Sequence, residues 1–203
     1  MKNRLLYPAS ALLLVVGLPL AVPSRPVPAA VAAPEAGKYQ LDPVHCTACF
    51  RVKHLGCSWF NGRFNKITGS ILLDEKDLSG SSVQIEIDPA SVDTNSAQRD
   101  AHLRSQSFFN AKEFPKITFQ STKVKKAGKD GFEITGDLEL HGVTKPITLK
   151  VDHVGTSDNP RMGHREGFET GFKIKRSDYG MDFMVGMVGD EITLRIGIEA
   201  VRE

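Results

Sequence analysis

The sequence predicts an all-β fold, an antiparallel up-and-down barrel of about eight strands carrying one short helix. Three observations support this. Apolar and polar residues alternate with period two through most of the chain beyond residue 38, turn-forming residues separate the alternating runs, and only one segment has helical character.

The alternation is clearest in "SVQIEID", where Val83, Ile85 and Ile87 share one side and Gln84, Glu86 and Asp88 the other. "FEITGDLEL" opposes Phe132, Ile134, Leu138 and Leu140 to Glu133, Thr135, Asp137 and Glu139. Ile147, Leu149 and Val151, then Phe168, Phe172 and Ile174, then Ile192, Leu194, Ile196 and Ile198 continue the pattern. Successive side chains of a strand point to opposite faces, so these runs are half-buried antiparallel strands. Leu55-Gly56, Leu78-Ser79-Gly80, the run from Ala127 to Gly131, His141-Gly142 and the longer "GTSDNPRMG" supply the turns. A meander this large has exposed edges unless it closes on itself, which favours a barrel over a two-sheet sandwich, the second choice. The helix is expected over Ser96–Ser105, entered through the cap-forming Asp93, Thr94 and Asn95 and carrying an Asp100–Arg104 pair at i, i+4.

Residues 1–32 read as a secretory signal peptide. Lys2 and Arg4 precede the apolar core "ALLLVVGLPLAV", which is too short to span a bilayer comfortably, and Ala30-Val31-Ala32 fits a small-x-small cleavage site. Residues 33–38 form a short linker, and residues 39–203 one domain with room for a sizeable core. Removal of the signal peptide takes away Lys2, Arg4 and Arg25, leaving 23 basic residues against 24 acidic ones. That balance, with no Lys/Arg run, argues against nucleic-acid binding and against stable membrane insertion after cleavage. A periplasmic or secreted location is expected.

The three cysteines fall within "HCTACFRVKHLGC", residues 45–57, beside two of the six histidines. As a strand, this segment places Cys46, Ala48, Phe50, Val52 and His54 on one face and Cys49, Arg51 and Lys53 on the other, which breaks the C-x-x-C geometry. Cys57 follows the Leu55-Gly56 turn, roughly 27 Å of strand from Cys46 and beyond disulfide reach. The cysteines therefore read as small strand side chains. The alternative is a metal- or thiol-based redox protein using His45, Cys46, Cys49, His54 and Cys57, with a bulge realigning the faces.

"HCTACFRVKHLGCSWFNGRF", "SVDTNSAQRDAHLRSQSFFNAKEFPKITFQST", "GDLELHGVTKPITL", "KIKRSDYGM" and "VGDEITLRIGIEA" resemble, in order, the blocks of the YceI-like family of exported polyisoprenoid-binding proteins. The resemblance covers residues 39–202. It implies a lipocalin-like barrel holding a long apolar molecule such as a polyisoprenoid, an isoprenoid quinone or a fatty-acid derivative. Cys46 stands where the family usually has Ser, and Cys49 where it has an aliphatic residue.

The side chains suit such a ligand independently. Phe50, Val52, Phe60, Phe64, Ile85, Phe119, Ile134, Leu138, Phe172 and Ile174 have inward parity, either to fill a core or to line a cavity. Phe108 and Phe109, with Phe114, sit beside the helix, and Met181, Phe183 and Met184, with Met187, lie between glycines in "YGMDFMVGMVGD". Methionine fills irregular gaps, so this loop makes an adaptable lid. Arg99, His102 and His54 are candidates to meet a polar head group. Arg176 and Asp178 are expected to brace the Met-rich loop by a salt bridge, and His141 to be exposed. A hydrolase built on Asp100, His102 and Ser105 or Ser107 is disfavoured, because these residues crowd one segment and no G-x-S-x-G elbow exists. The expected function is therefore a non-enzymatic carrier or scavenger. It has a hydrophobic lipid as partner and no cofactor beyond that ligand, while strand edges leave room for a homodimer.

Overall fold

The period-two runs form strands, and their apolar faces turn inward. The computed structural model describes residues 36–203; the expected signal peptide at residues 1–32 and the first expected linker residues lie outside the described residues. Eleven strands are β1 (Gly37–Leu41), β2 (Thr47–His54), β3 (Ser58–Phe64), β4 (Ile67–Leu73), β5 (Ser82–Ile87), β6 (Val92–Asp93), β7 (Ile117–Lys126), β8 (Gly131–Leu140), β9 (Val143–Asn159), β10 (Gly163–Lys175) and β11 (Val188–Arg202), with one α-helix, α1 (Ala97–Arg104). Gly37 and Lys38, expected in the linker, already pair with Leu73 and Leu72.

All neighbouring strands are antiparallel, and β1 pairs with both β4 and β11, so eight strands close into a ring: β1-β4-β5-β7-β8-β9-β10-β11. The expected up-and-down barrel is present and the sandwich is not. Strands β2, β3 and β6 continue the lines of β1, β4 and β5. One end, the mouth, thus carries the turn at residues 55–57, the segment 94–116 with α1, the turn at 141–142 and the loop 176–187. The β9–β10 hairpin and both ends of the domain mark the other.

Local chemistry explains the turns. His141 and Gly142 have positive φ at both positions, as a two-residue hairpin loop of type I′ requires, and Leu55 and Gly56 do the same within the three-residue turn between the paired His54 and Ser58. "GTSDNPRMG" departs from expectation: its first five residues extend β9 to Asn159, and the turn narrows to residues 160–162. Cross-strand pairing with β10 outweighs the local turn preference of these residues. At α1 the cap is Ser96, whose hydroxyl accepts from the Arg99 amide. The Asp100–Arg104 pair is not formed. Asp100 is buried and accepts from the Thr94 amide (2.9 Å) and hydroxyl, while Arg104 donates to the carbonyls of Ala90 and Val92.

The end opposite the mouth is polar. Glu166 faces inward beyond Phe168 yet is only 4% exposed. A buried carboxylate needs partners, and here His153 Nε2 lies 2.6 Å, the Thr156 hydroxyl 2.8 Å and His164 Nε2 3.0 Å from its oxygens. His164 Nδ1 lies 2.6 Å from Asp158, so both ring nitrogens face carboxylates. The hydrogen bond to Asp158 is the main cause that raises the His164 pKa, despite opposing desolvation.

Two predictions follow from these contacts. A Cβ at Gly69 would stand 2.1 Å from the Gln84 carbonyl oxygen, whereas one at Gly155 meets nothing within 4 Å. Gly69→Ala should lower stability in urea unfolding by ~1–3 kcal/mol, and Gly155→Ala by less than ~0.5 kcal/mol. A raised His pKa adds stability fully present below the unfolded value and lost as pH rises through the folded one. The urea midpoint should therefore fall as pH rises from about 6.5, and His164→Asn should flatten that slope. The effect is small because Asp158 is largely exposed.

Candidate functional site

The barrel encloses a cavity of about 200 Å³ lined almost wholly by apolar side chains. Phe50, Val52, Phe64, Ile85, Phe119, Ile134, Leu138, Phe172 and Ile174 reach it from the strands, and Phe108, Phe109 and Met181 from the mouth. It exists because β2 to β5 and β7 to β11 present their apolar parity to the same interior. Phe50 lies across Gly62, where a Cβ would come within 2.3 Å of the ring, so the glycine gives that ring its place.

Six other candidates lie off the lining. Phe60 sits under the Arg99 guanidinium, 4.1 Å from its ring centre, and is half-buried outside the cavity. Arg99 donates to the Thr94 hydroxyl (2.8 Å) and carbonyl (2.7 Å), which ties α1 to its entry turn. His54 has inward parity but ends β2 in solvent, opposite Val188. His102 and Phe183 pack edge-to-face at 5.7 Å and both contact Phe108, forming the outer layer over the mouth. Met184 is exposed at the tip of the loop. Helix and Met-rich loop thus come together over the cavity, but only Met181 of the loop's sulfur-bearing residues faces inward.

Arg176 holds this loop by a route the sequence did not reveal. Asp178 pairs instead with Lys145 at 3.6 Å. Arg176 is 3% exposed and donates to three carbonyls, those of Met181 (2.6 Å), Gly189 (3.0 Å) and Val188 (3.0 Å), clamping both ends of the loop. Burial lowers its pKa. Among the described residues it is the only charged side chain lining the cavity. His141 is also not exposed as expected: it packs on Phe114 at 4.8 Å, and its Nδ1 lies 3.1 Å from the Tyr179 carbonyl oxygen.

The cysteine stretch is a strand and turn. Cys49 and Cys57 are exposed, Cys46 is half-buried, and all three are free thiols. Cys49 faces outward between Arg63 and Arg195 of the flanking strands. Burial raises the Cys46 pKa, which disfavours its thiolate. His45, Asp42 and Glu199 converge, but the Arg165 guanidinium already joins the two carboxylates, at 2.8 Å from Asp42. That contact is the main cause holding the Asp42 carboxyl far below its usual range. The hydrolase residues are apart in function as well: Asp100 serves Thr94, and the Ser105 hydroxyl donates to the His102 carbonyl.

A closed antiparallel barrel with an apolar interior and a looped mouth is the architecture of a small-ligand binding protein. Residues 39–200 match the YceI-like domain, and the chain belongs to that family. Protein YceI of Escherichia coli O17:K52:H18 is 44% identical over 170 residues, covering 83% of this chain and 88% of its own. The crystal structure of the Campylobacter jejuni YceI protein is similar with a TM-score of 0.66 at 32% identity, covering 74% of this chain and 89% of that one. A polyisoprenoid binding domain from Saccharophagus degradans shares the fold, with a TM-score of 0.64 at 19% identity, covering 81% of this chain and 98% of that one.

The outward placement of Cys49 and the turn placement of Cys57 carry a prediction. Replacing Cys46, Cys49 and Cys57 together by Ser should leave the circular dichroism spectrum and the lipid content of the purified protein unchanged. A stoichiometric metal lost in the triple variant, together with its lipid, would refute the strand reading.

Proposed function

We propose that the protein is a non-enzymatic carrier or scavenger, acting in the periplasm or outside the cell, that holds one apolar chain in its barrel. A polyisoprenoid, an isoprenoid quinone and a fatty-acid derivative are the chemical candidates. The carrying observation is the cavity: a continuous apolar lining drawn from β2 to β5 and β7 to β11 and roofed by two loops. The polyisoprenoid binding of the Saccharophagus degradans domain, on the same fold, supports the ligand class.

Magnitudes bear on the size of the cargo. Each buried CH₂ contributes ~0.8 kcal/mol, so a short buried segment already supports tight binding before ordering costs are subtracted. The cavity is smaller than the ~300–1,000 Å³ usual for ligand pockets. It takes only a segment of a long chain unless the Phe and Met side chains move aside. Walls of this kind offer no donors with which to count isoprene units. Selection at the head group then falls to the mouth, where Arg176 has five N–H donors and uses three on the loop carbonyls.

The test is lipid extraction and mass spectrometry of purified protein, with Phe172→Asp beside it. Phe172 lines the cavity, so a carboxyl there should cut the bound lipid at least tenfold while the fold, checked by circular dichroism, is kept. Ile85→Trp, which fills the cavity without adding charge, should do the same. Variants that fold and carry as much lipid as the parent would sink the proposal.

A further inference from the structure

The apolar surface of this protein is concentrated at the mouth. Of the nine large apolar side chains exposed among the described residues, Leu55, Phe183, Met184, Val185 and Met187 form its rim, and Trp59 stands just behind them at the start of β3. The Leu55 turn and the Met-rich loop are joined by a hydrogen bond from the Leu55 amide to the Met187 carbonyl (2.7 Å), so they form one surface. An exposed patch of this kind marks an interaction site.

Backbone geometry adds an independent observation. Leu55 (φ 50°) and Met184 (φ 55°) both stand in the left-handed region, where Gly and Asn are favoured and a large apolar residue is unfavourable. Both side chains are nonetheless apolar and both project into solvent. Neither backbone conformation nor the stability of the isolated fold accounts for that choice.

We propose that this rim docks the protein onto a lipid bilayer, so that the apolar chain passes between membrane and cavity without crossing water. The passage step rests on the carrier function above; the docking does not. Two features fit a bilayer rather than a second protein. The rim is continuous with the cavity wall, because Met181 and Val188, at either end of the exposed run, both line the cavity. Behind the rim comes a collar: Trp59, with the Arg51 guanidinium 4.4 Å from its ring centre and the exposed Lys53 opposite it on β2. An apolar tip followed by Trp, Arg and Lys is the sequence of chemistries met on going from acyl chains to phosphates.

The test is flotation of the purified protein with phosphatidylcholine vesicles, and with vesicles containing added phosphatidylglycerol, at low and high salt. The protein should float with both, more strongly with the anionic ones at low salt, and salt should not abolish binding. L55N/M184N places the residue type favoured at positive φ in both turns, so melting temperature should hold or rise while vesicle binding falls at least tenfold. F183D/M187D, a second variant, should lose binding to the same extent. Three outcomes would overturn the proposal: the parent staying in solution, a folded L55N/M184N floating as well as the parent, or a dimer of the parent that L55N/M184N breaks. Vesicle binding by protein that yields no extractable lipid would support docking and count against the carrier function alone.

Discussion

Everything in this molecule depends on the hydrogen bonding of β1 and β2 to β11. That strand is paired on one side with β10 along most of its length, and on the other first with β2 and then with β1. Without the second set of bonds the sheet would have two edges, and its apolar face would be open to water. With it, the alternating residues of all the strands share one interior, so the cavity is a consequence of closure rather than a separate structure. The contact of Arg165 with Asp42 and Glu199 reinforces the seam, because it joins β10 and β11 to the segment between β1 and β2.

The mouth depends on a different kind of interaction. Arg176 is a buried cation that forms no salt bridge among the described residues, and desolvation of such a group is unfavourable unless its N–H donors are satisfied. Three carbonyls at the two ends of the Met-rich loop supply that, so the loop is fixed at its base while its tip is free to be apolar and exposed. The segment after α1 leans on the same group, with Arg176 6.0 Å from the Phe108 ring centre.

The barrel was legible in the sequence because strand parity is a local property: Val83, Ile85 and Ile87, or Ile192 to Ile198, can be assigned inward without knowledge of any partner. The same logic found nine of the cavity-lining side chains and the outward direction of Cys49, while Phe108, Phe109 and Met181 were found from the composition of their loops. It failed where a residue's role is set by backbone groups distant in sequence. Arg176 bonds carbonyls five to thirteen residues away, and local charge pattern suggested Asp178 instead. Phe60 has correct parity but stands beyond the cavity, under an arginine that comes from α1. The Glu166 cluster was missed for the opposite reason. Its inward parity matches that of Phe168, but a carboxylate on an inward face is not expected until His153 and His164 are brought to it by the β9–β10 pairing.

That cluster makes the two ends of the barrel chemically unlike. Tyr39, Ala200 and Glu166 are all almost fully buried at the end away from the mouth, so the interior has a floor there. The barrel is a blind alley. On the proposed carrier function, a molecule with one polar end would enter tail first and leave the way it came, and a second would not follow until the first had gone. Whatever length of such a chain exceeded the depth of the alley would stay outside, at the rim, within reach of a membrane or an acceptor.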